Sequence, residues 1–197
     1  MLFRSLVCVI LAGGLVRRMG EADKGLQLLA GQPLVRHVLE RLQPQVDEVL
    51  INANRNADRY RLLGLPVVAD LFPGFAGPLA GLHAALASAA HPLVVTVPCD
   101  APRLPSDLVA RLRAELFRSE AELAFARTFD QLQPVFCLCR RHLLASLHQF
   151  LASGGRQPVV WYRRLRSVEV AFDDQLAAFC NINTAGDLDA MRMCRDH

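Results

Sequence analysis

The feature that most constrains this chain is a short apolar segment that runs directly into a glycine-rich, basic loop. Residues 6–10, with the letters L-V-C-V-I, are apolar without interruption, and Gly13 and Gly14 follow them closely. A short run of this kind, rich in β-branched residues and ended by glycines, is typical of a buried β-strand. The two glycines let main-chain N–H groups approach a ligand. The same loop carries three basic side chains, Arg17, Arg18 and Lys24. Such a loop at the carboxyl end of a first strand is where α/β proteins hold phosphates.

Two common phosphate-binding motifs do not fit this loop. A P-loop needs Gly-Lys-Ser/Thr at the start of a helix, whereas Lys24 lies ten residues after Gly14 and is followed by Gly25. The dinucleotide motif G-x-G-x-x-G also fails, because the next glycine after Gly13 and Gly14 is Gly20. The loop therefore belongs to another class of phosphate site.

Composition narrows the classes of protein further. With 197 residues, 52% of them hydrophobic, 21% charged and a mean hydropathy of +0.23, the chain is expected to form one well-buried globular domain. The net charge of +3 is too mild for a nucleic-acid surface, and no apolar run reaches the ~18 residues of a membrane span. An apolar N-terminal segment this short is not expected to be a signal peptide, since the glycine loop follows it at once.

The cysteine pattern indicates a reducing compartment. The six cysteines lie singly or as C-x-C, without the C-x-x-C pairs of zinc or thioredoxin sites. Most of them stand in apolar runs, where cysteine behaves as a small core hydrophobe. We therefore expect a cytoplasmic protein.

An acidic residue follows the predicted central strand. Residues 93–97 are uncharged and rich in valine, and they run into P-C-D-A-P at 98–102, which contains Asp100. A carboxylate at the carboxyl end of a central parallel strand can hold Mg²⁺, with substrate phosphates and water as the other ligands. The alternative is that Asp100 caps the next helix, although Ser106 and Asp107 can do that without it.

Other polar side chains close the second and third predicted strands. Residues 46–53 predict a strand that contains Asn52, and residues 65–69 predict a short strand that ends at Asp70. Asn52 and Asn54 could serve in turn formation or helix capping. Near the C-terminus, the extended letters N-I-N-T place Asn181 and Asn183 on the same side of the chain, since side chains alternate in extended backbone.

The periodicity of the chain predicts alternating strands and helices. Strands are predicted over 6–10, 46–53, 65–69, 93–97, 122–126 and 134–138. Helices are predicted over 34–42, 56–63, 78–89, 107–117, 140–152 and 184–193. The polar segment 127–133 is expected to be a loop that faces a second substrate. This alternation predicts a three-layer αβα, Rossmann-like fold with a mostly parallel sheet, and one crevice at the carboxyl ends of its strands.

The residues that would meet in this crevice suit phosphate chemistry. The histidines are scattered and none is paired with Ser or Cys in a recognisable arrangement, so no protein nucleophile is apparent. If the attacking group is a substrate phosphate, it is already ionised at neutral pH and needs no general base. The remaining task is to bring anions together and to stabilise charge, which lysine, main-chain N–H groups and a metal can do.

The motifs together resemble the molybdenum cofactor guanylyltransferase family. The resemblance rests on L-A-G-G-L-V-R-R-M-G-E-A-D-K at 11–24, G-P-L-A-G at 77–81, Asp100 and the segment N-I-N-T, with Ala185 where the family has proline. It implies a fold of the nucleotide-diphospho-sugar transferase type, with a nucleotide-binding N-terminal part and a pterin-binding C-terminal part. It also implies transfer of GMP from Mg-GTP to the phosphate of Mo-molybdopterin, which gives the guanine dinucleotide cofactor and pyrophosphate. Molybdoenzyme apoproteins or their chaperones would then receive the product, and neither nucleic acid nor a membrane is an expected partner.

The resemblance also assigns roles to residues. Lys24 and Asp100 would be catalytic, with Asp100 as the ligand of Mg²⁺. The nucleotide contacts would be Leu11, Ala12, Gly13, Gly14, Lys24, Asn52, Asp70 and Asp100. The pterin contacts would be Arg17, Arg18, Arg156, Asn181 and Asn183.

Three alternatives stay open from the sequence. A cytidylyltransferase that acts on the same pterin typically has Ala where Gly13 stands. Nucleotidyltransferases for sugar or isoprenoid phosphates usually lack the N-x-N-T segment. A nucleotide sensor without catalytic activity could share the fold, although Lys24 and Asp100 are both present.

Overall fold

The computed structural model describes residues 6–13, 23–72, 77–182 and 187. Within these ranges the strands, in chain order, are β1 (Leu6–Leu11), β2 (Leu28–Leu29), β3 (Gln32–Pro33), β4 (Glu48–Asn52), β5 (Val67–Val68), β6 (Leu93–Pro98), β7 (Leu123–Thr128), β8 (Gln131–Arg140) and β9 (Ser167–Ala171). The helices are α1 (Leu34–Leu42), α2 (Ala57–Arg61), α3 (Pro78–Ser88), α4 (Leu108–Arg118), α5 (Leu144–Ala152) and α6 (Pro158–Tyr162).

Seven of the described strands form one sheet in the order β5-β4-β1-β6-β8-β7-β9. The pairs β1–β4, β1–β6, β4–β5 and β7–β9 are parallel, whereas β8 runs antiparallel to both β6 and β7. The prediction of a mostly parallel sheet is therefore confirmed. The predicted central strand is confirmed as well, because β6 lies in the middle of the order.

Helices cover both faces of this sheet. Successive side chains of a strand point to opposite faces, so Leu6, Cys8 and Ile10 of β1 join one core while Val7 and Val9 join another. Buried residues of α1 and α4 belong to the first core, and those of α3, α5 and α6 belong to the second. The three-layer αβα arrangement is thus confirmed. Four cysteines lie buried in these cores as predicted, Cys8, Cys99, Cys137 and Cys139.

The C-terminal half differs from the predictions in two places. Residues 127–133, expected to form a loop, belong instead to a β-hairpin in which β7 continues to Thr128 and β8 begins at Gln131. Phe129, at its turn, adopts a left-handed conformation with φ 48°. No element was predicted over residues 158–171, where the structure has α6 and β9. The predicted helix over 184–193 lies outside the described residues, apart from Asp187.

The topology brings the predicted site residues to one edge of the sheet. The strands β1, β4 and β6 are adjacent and parallel, with Leu11 in register with both Asn52 and Pro98. The carboxyl ends of all three therefore open on the same side, where Ala12, Ala53 and Cys99 follow them. No helix in the described ranges is long and apolar enough to cross a membrane.

Candidate active site

Main-chain hydrogen bonds hold the start of the glycine loop between its two neighbouring strands. The N–H of Ala12 donates to the carbonyl of Asn52 at 2.8 Å, and the N–H of Cys99 donates to the carbonyl of Leu11 at 3.1 Å. These bonds extend the parallel ladder by one residue beyond β1. The backbone of residues 11–13 is thus fixed beside the ends of β4 and β6.

Lys24 and Asp100 meet across the mouth of the crevice. The Nζ of Lys24 lies 3.4 Å from Oδ2 of Asp100, although the two residues are 76 positions apart. The side chain of Asp100 is 11% exposed and that of Lys24 is 29% exposed. The two residues that the sequence analysis named as catalytic are therefore brought together as an ion pair at the carboxyl end of the central strand.

The surroundings of the Asp100 carboxylate disfavour its ionised form. Burial raises its pKa above the ordinary value of 3.8, and the nearby Lys24 ammonium and hydrogen bonds only partly oppose that effect. An ionised carboxylate in such a place is stabilised by any further cation that reaches it.

Asp70 is fixed by the side-chain amides of two asparagines. The Nδ2 of Asn52 donates to Oδ1 of Asp70 at 2.9 Å, and the Nδ2 of Asn54 donates to Oδ2 at 2.8 Å. The N–H of Asp70 in turn donates to Oδ1 of Asn54 at 2.8 Å. Asn52 is 2% exposed and also donates to the carbonyl of Val68 at 3.3 Å. Asn54, to which the sequence analysis assigned no site role, is thus a full member of this cluster.

The side chains of Asn52 and Asn54 lie where a side chain at either of two nearby glycines would have to be. A Cβ on Gly81, in α3, would lie 2.5 Å from Oδ1 of Asn52 and 2.7 Å from Cδ2 of Leu11. A Cβ on Gly13 would lie 3.0 Å from Nδ2 of Asn54 and 3.3 Å from Oδ1 of Asn52. The glycine loop, the end of β4 and the start of α3 therefore meet at the Asn52 side chain. Gly81, the last residue of the motif G-P-L-A-G at 77–81, thus lies beside the same Asn52 side chain as Gly13 of the glycine loop.

A second network, absent from the sequence analysis, surrounds the residue before Lys24. The hydroxyl of Tyr60 donates to Oδ1 of Asp23 at 2.5 Å, and Nδ2 of Asn56 donates to Oδ2 of Asp23 at 3.0 Å. Tyr60 is completely buried. In the sequence, the one signal for this network was the position of Asp23 next to Lys24, since its partners in and beside α2 are 33 and 37 residues away.

The C-terminal segment reaches the same edge of the sheet. The N–H of Ile182 donates to the carbonyl of Asp100 at 2.9 Å, and the Ile182 side chain is buried against Leu29 and Leu34. Asn181 is exposed beside it. The structure therefore brings Asn181 next to the Asp100 loop.

Arg156 lies just after the end of α5 and close to the start of α3. Its Nη1 donates to the carbonyls of Leu151 and Gly155 at 3.0 Å and 2.7 Å, at the end of α5. Its own carbonyl oxygen lies 3.9 Å from where a Cβ on Gly77 would stand, at the start of α3. Four predicted site residues lie outside the described residues: Gly14, Arg17, Arg18 and Asn183.

The residues at this edge fit a divalent cation bound mainly through its substrate. In the described ranges no three His, Cys, Asp or Glu side chains form a cluster that could hold a metal by themselves. One buried, oxygen-donating carboxylate is present at Asp100, and Mg²⁺ is commonly held by one or two carboxylates with phosphates and water. One carboxylate of this kind therefore suits Mg²⁺ whose other ligands are phosphates and water.

The chain is similar to known proteins over nearly its full length. Residues 8–168 match the family of MobA-like NTP transferase domains. Among curated proteins, the molybdenum cofactor guanylyltransferase of Burkholderia ambifaria is 50% identical over 95% of this chain and 95% of its own length. The protein of the same name from Cupriavidus taiwanensis is 51% identical over 92% of this chain and 94% of its own.

A solved structure agrees with this relationship. Molybdopterin-guanine dinucleotide biosynthesis protein A from Archaeoglobus fulgidus superposes with a TM-score of 0.79 at 25% identity, and covers 98% of this chain and 100% of its own. The fold is that of the nucleotide-diphospho-sugar transferases, as predicted, and the protein is a nucleotidyltransferase. The chain belongs to the MobA-like NTP transferase family and, within it, to the molybdenum cofactor guanylyltransferases.

Proposed function

We propose that the protein transfers GMP from GTP to the terminal phosphate of Mo-molybdopterin. An oxygen of the pterin phosphate attacks the α-phosphorus of GTP, the bond from that phosphorus to the bridging oxygen breaks, and pyrophosphate leaves. The product is the molybdopterin guanine dinucleotide cofactor. The observation that carries the proposal is the Lys24–Asp100 pair, 3.4 Å apart at the carboxyl end of the central strand. Membership of the guanylyltransferase family supports the choice of substrates.

In this reaction the protein acts through position and charge. The attacking phosphate is ionised at neutral pH, so the site needs no general base, and negative charge builds up on the phosphoryl oxygens as the leaving group departs. The ammonium of Lys24 stabilises that charge, and main-chain N–H groups of the glycine loop add dipoles directed at the phosphates. The Lys24 ammonium already lies 3.4 Å from Asp100 without substrate, which lowers the cost of reorganisation in the transition state.

Asp100 would hold Mg²⁺ that arrives with GTP. The bound ion would neutralise the triphosphate and the departing pyrophosphate. The Lys24 ammonium, 3.4 Å from Oδ2 of Asp100, would bind the phosphates beside this carboxylate.

The nucleotide would lie against the asparagine cluster. Residues 11–13 and Asn52 line this wall, and the Asp70 carboxylate is oriented by Asn52 and Asn54. A carboxylate fixed by two amides keeps one geometry for its remaining lone pairs, which suits selective hydrogen bonding to a ligand. We include Gly14 in the nucleotide site on the strength of the loop motif.

The pterin would occupy the side of the crevice formed by the C-terminal part of the chain. Asn181 contributes from beside Asp100, and Arg156 from the end of α5. Arg17, Arg18 and Asn183 complete the proposed pterin set. In this proposal the chain is one cytoplasmic domain that passes its product to molybdoenzyme apoproteins or their chaperones.

The direct test is transfer of label from each of four α-labelled nucleoside triphosphates to Mo-molybdopterin, with Mg²⁺ and with a chelator. We expect transfer from GTP alone and only with the metal. Transfer from CTP would refute the guanine assignment and keep the reaction type. An absence of transfer with all four nucleotides would refute the proposed function itself.

A further inference from the structure

Lys24 stands out by its chemistry as well as by its place. It is the only lysine among the 22 lysines and arginines of the chain. Arginine presents a planar fork, whereas lysine carries a compact ammonium on a flexible four-carbon stem. A chain that otherwise uses arginine throughout has a lysine at the one position where a point charge must reach phosphates. A flexible stem delivers that charge to a defined point only if its backbone is held firmly.

The residue before Lys24 is held by two side chains of one structural unit. Tyr60 and Asn56, in and beside α2, donate to the two different carboxylate oxygens of Asp23, at 2.5 Å and 3.0 Å. Both oxygens of the carboxylate are thus directed toward α2. The Asp23 carbonyl also accepts the N–H of Leu26 at 3.1 Å, which closes a 3-10 turn over Lys24–Leu26.

The residue after Lys24 is held by packing. A Cβ on Gly25 would lie 2.5 Å from the Tyr60 hydroxyl oxygen and 3.2 Å from Sγ of Cys99. Gly25 is buried between these two side chains, and Cys99 is the direct neighbour of Asp100. The backbone on both sides of Lys24 is therefore anchored, once to α2 and once to the segment that carries Asp100.

Asn56 and Tyr60 are both well suited to donate hydrogen bonds to Asp23. Asn56 adopts a left-handed conformation with φ 52° at the start of α2, and its side chain binds Asp23 instead of capping the helix. Burial raises the pKa of Tyr60, so its hydroxyl stays protonated and remains a donor throughout the working pH range.

We propose that Asp23, Tyr60 and Asn56 form a clamp that positions Lys24 for catalysis. The clamp, defined by these three residues, sets the backbone from which the Lys24 ammonium reaches Asp100 and the substrate phosphates. Its members are positioning residues that act through Lys24. The inference rests on the proposed function for its effect on turnover, and on the geometry alone for its effect on Lys24.

Two variants test the clamp, and a third is a matched control. Tyr60→Phe removes the hydroxyl and keeps the ring, while Asp23→Asn removes the carboxylate charge and one of its acceptor oxygens. Tyr162→Phe is the control, because the Tyr162 hydroxyl is equally buried and donates to the Pro134 carbonyl at 2.7 Å in the other core. All three changes delete one hydrogen-bonding group and leave the side-chain volume nearly unchanged.

The first measurement is steady-state GMP transfer. We expect Tyr60→Phe and Asp23→Asn to lower kcat by about 10- to 100-fold, the effect of a displaced catalytic group, with KM for GTP changed far less. Tyr162→Phe should keep kcat within about twofold, since it tests only the general cost of losing a buried hydrogen bond. If Tyr60→Phe fails to fold, Asp23→Asn alone decides the outcome.

The second measurement uses the single lysine and does not depend on the reaction. An amine-reactive N-hydroxysuccinimide ester labels only Lys24 and the N-terminal amine, and peptide mass spectrometry separates the two. Without ligand, the labelling rate of Lys24 relative to the N-terminal amine should change severalfold in both clamp variants and stay unchanged in Tyr162→Phe. Wild-type kcat and labelling in both variants would overturn the clamp. An absence of GMP transfer in the wild type would overturn the proposed function, and the labelling comparison would still decide the clamp.

Discussion

Replacing Gly81 by alanine should have two opposing effects on the stability of the protein. Alanine favours the helical conformation more than glycine does, but its Cβ would overlap with neighbouring side chains. Gly81 lies in the first turns of α3, an 11-residue helix, and is buried. In an exposed helix, glycine to alanine stabilises by about 1 kcal/mol. Here the new Cβ would come within 2.5 Å of Oδ1 of Asn52 and 2.7 Å of Cδ2 of Leu11, distances at which the neighbours must move.

The cost follows from what holds Asn52 in place. Its amide nitrogen donates to Asp70 and to the Val68 carbonyl, and the residue is 2% exposed, so rotation would break both bonds. Two buried hydrogen bonds are worth about 1–3 kcal/mol together, and overpacking costs about 1–3 kcal/mol on its own scale. After the helix gain of about 1 kcal/mol is subtracted, we expect Gly81→Ala to lower the free energy of unfolding by about 1–5 kcal/mol. For a chain of this size that lowers Tm by about 2 to 20 °C.

Two assays check this prediction. Chemical denaturation should measure the loss of stability. Calorimetric titration with Mg-GTP should show a Kd raised about tenfold or more, since the Asn52 side chain is displaced from the proposed nucleotide site. The control is Gly81→Ala combined with Asn52→Ala, which removes the 2.5 Å contact. The double variant should regain part of the stability and none of the affinity. A single variant that is more stable than wild type and binds GTP equally well would refute the steric reasoning.

Further predictions concern the ion pair. Lys24→Ala should lower kcat by about 100- to 1,000-fold in the GMP-transfer assay. Lys24→Arg should not restore it, because a planar guanidinium does not replace the compact ammonium that lies 3.4 Å from Asp100. Wild-type turnover in Lys24→Arg would show that positive charge alone suffices. Asp100→Asn should abolish turnover yet raise the free energy of unfolding of the ligand-free protein, since the buried charge is lost; a destabilised variant in urea titration would contradict this. Because burial raises the pKa of Asp100 above 3.8, the folded state binds more protons than the unfolded state between 3.8 and the raised value, so this carboxyl contributes less stability as pH rises through that window. The stability difference between Asp100→Asn and wild type should therefore widen from pH 4 upward and then level off, and a difference independent of pH would be inconsistent with a raised pKa. Turnover should fall on acidification at a pH above 3.8, since only the ionised carboxylate holds the metal.

Much of the fold could be predicted because segments with a regular hydrophobic pattern alternate with glycines and prolines that end them. Residues 6–10 and 93–97 are short apolar runs that end in glycine or proline, and they became the adjacent strands β1 and β6. Pro78 starts α3, where a missing N–H costs nothing. The polar segment 127–133 was misassigned because its residues pair across a hairpin, and polar composition by itself does not separate an exposed strand from a loop.

In the candidate site, a residue could be predicted from the sequence where a recognisable motif follows directly after a predicted strand. Lys24 closes a glycine-rich loop and Asp100 ends the central strand, so local pattern was enough to identify both. Asn54 and Tyr60 were missed because their roles depend on partners 16 and 37 residues away, and no local spacing encodes such distances.

The sequence by itself determined most of the strands and helices before residue 127 and the chemical groups at the strand ends, because both are properties of neighbouring residues. The tertiary structure alone decided how those groups meet. It placed the Lys24 ammonium against Asp100, turned the Asn52 amide toward Asp70, and left at Gly81 only the space that glycine needs. These relations arise from parallel strands whose carboxyl ends coincide and from helices packed within van der Waals distance of them. They exist only once residues far apart in the chain share one packed edge.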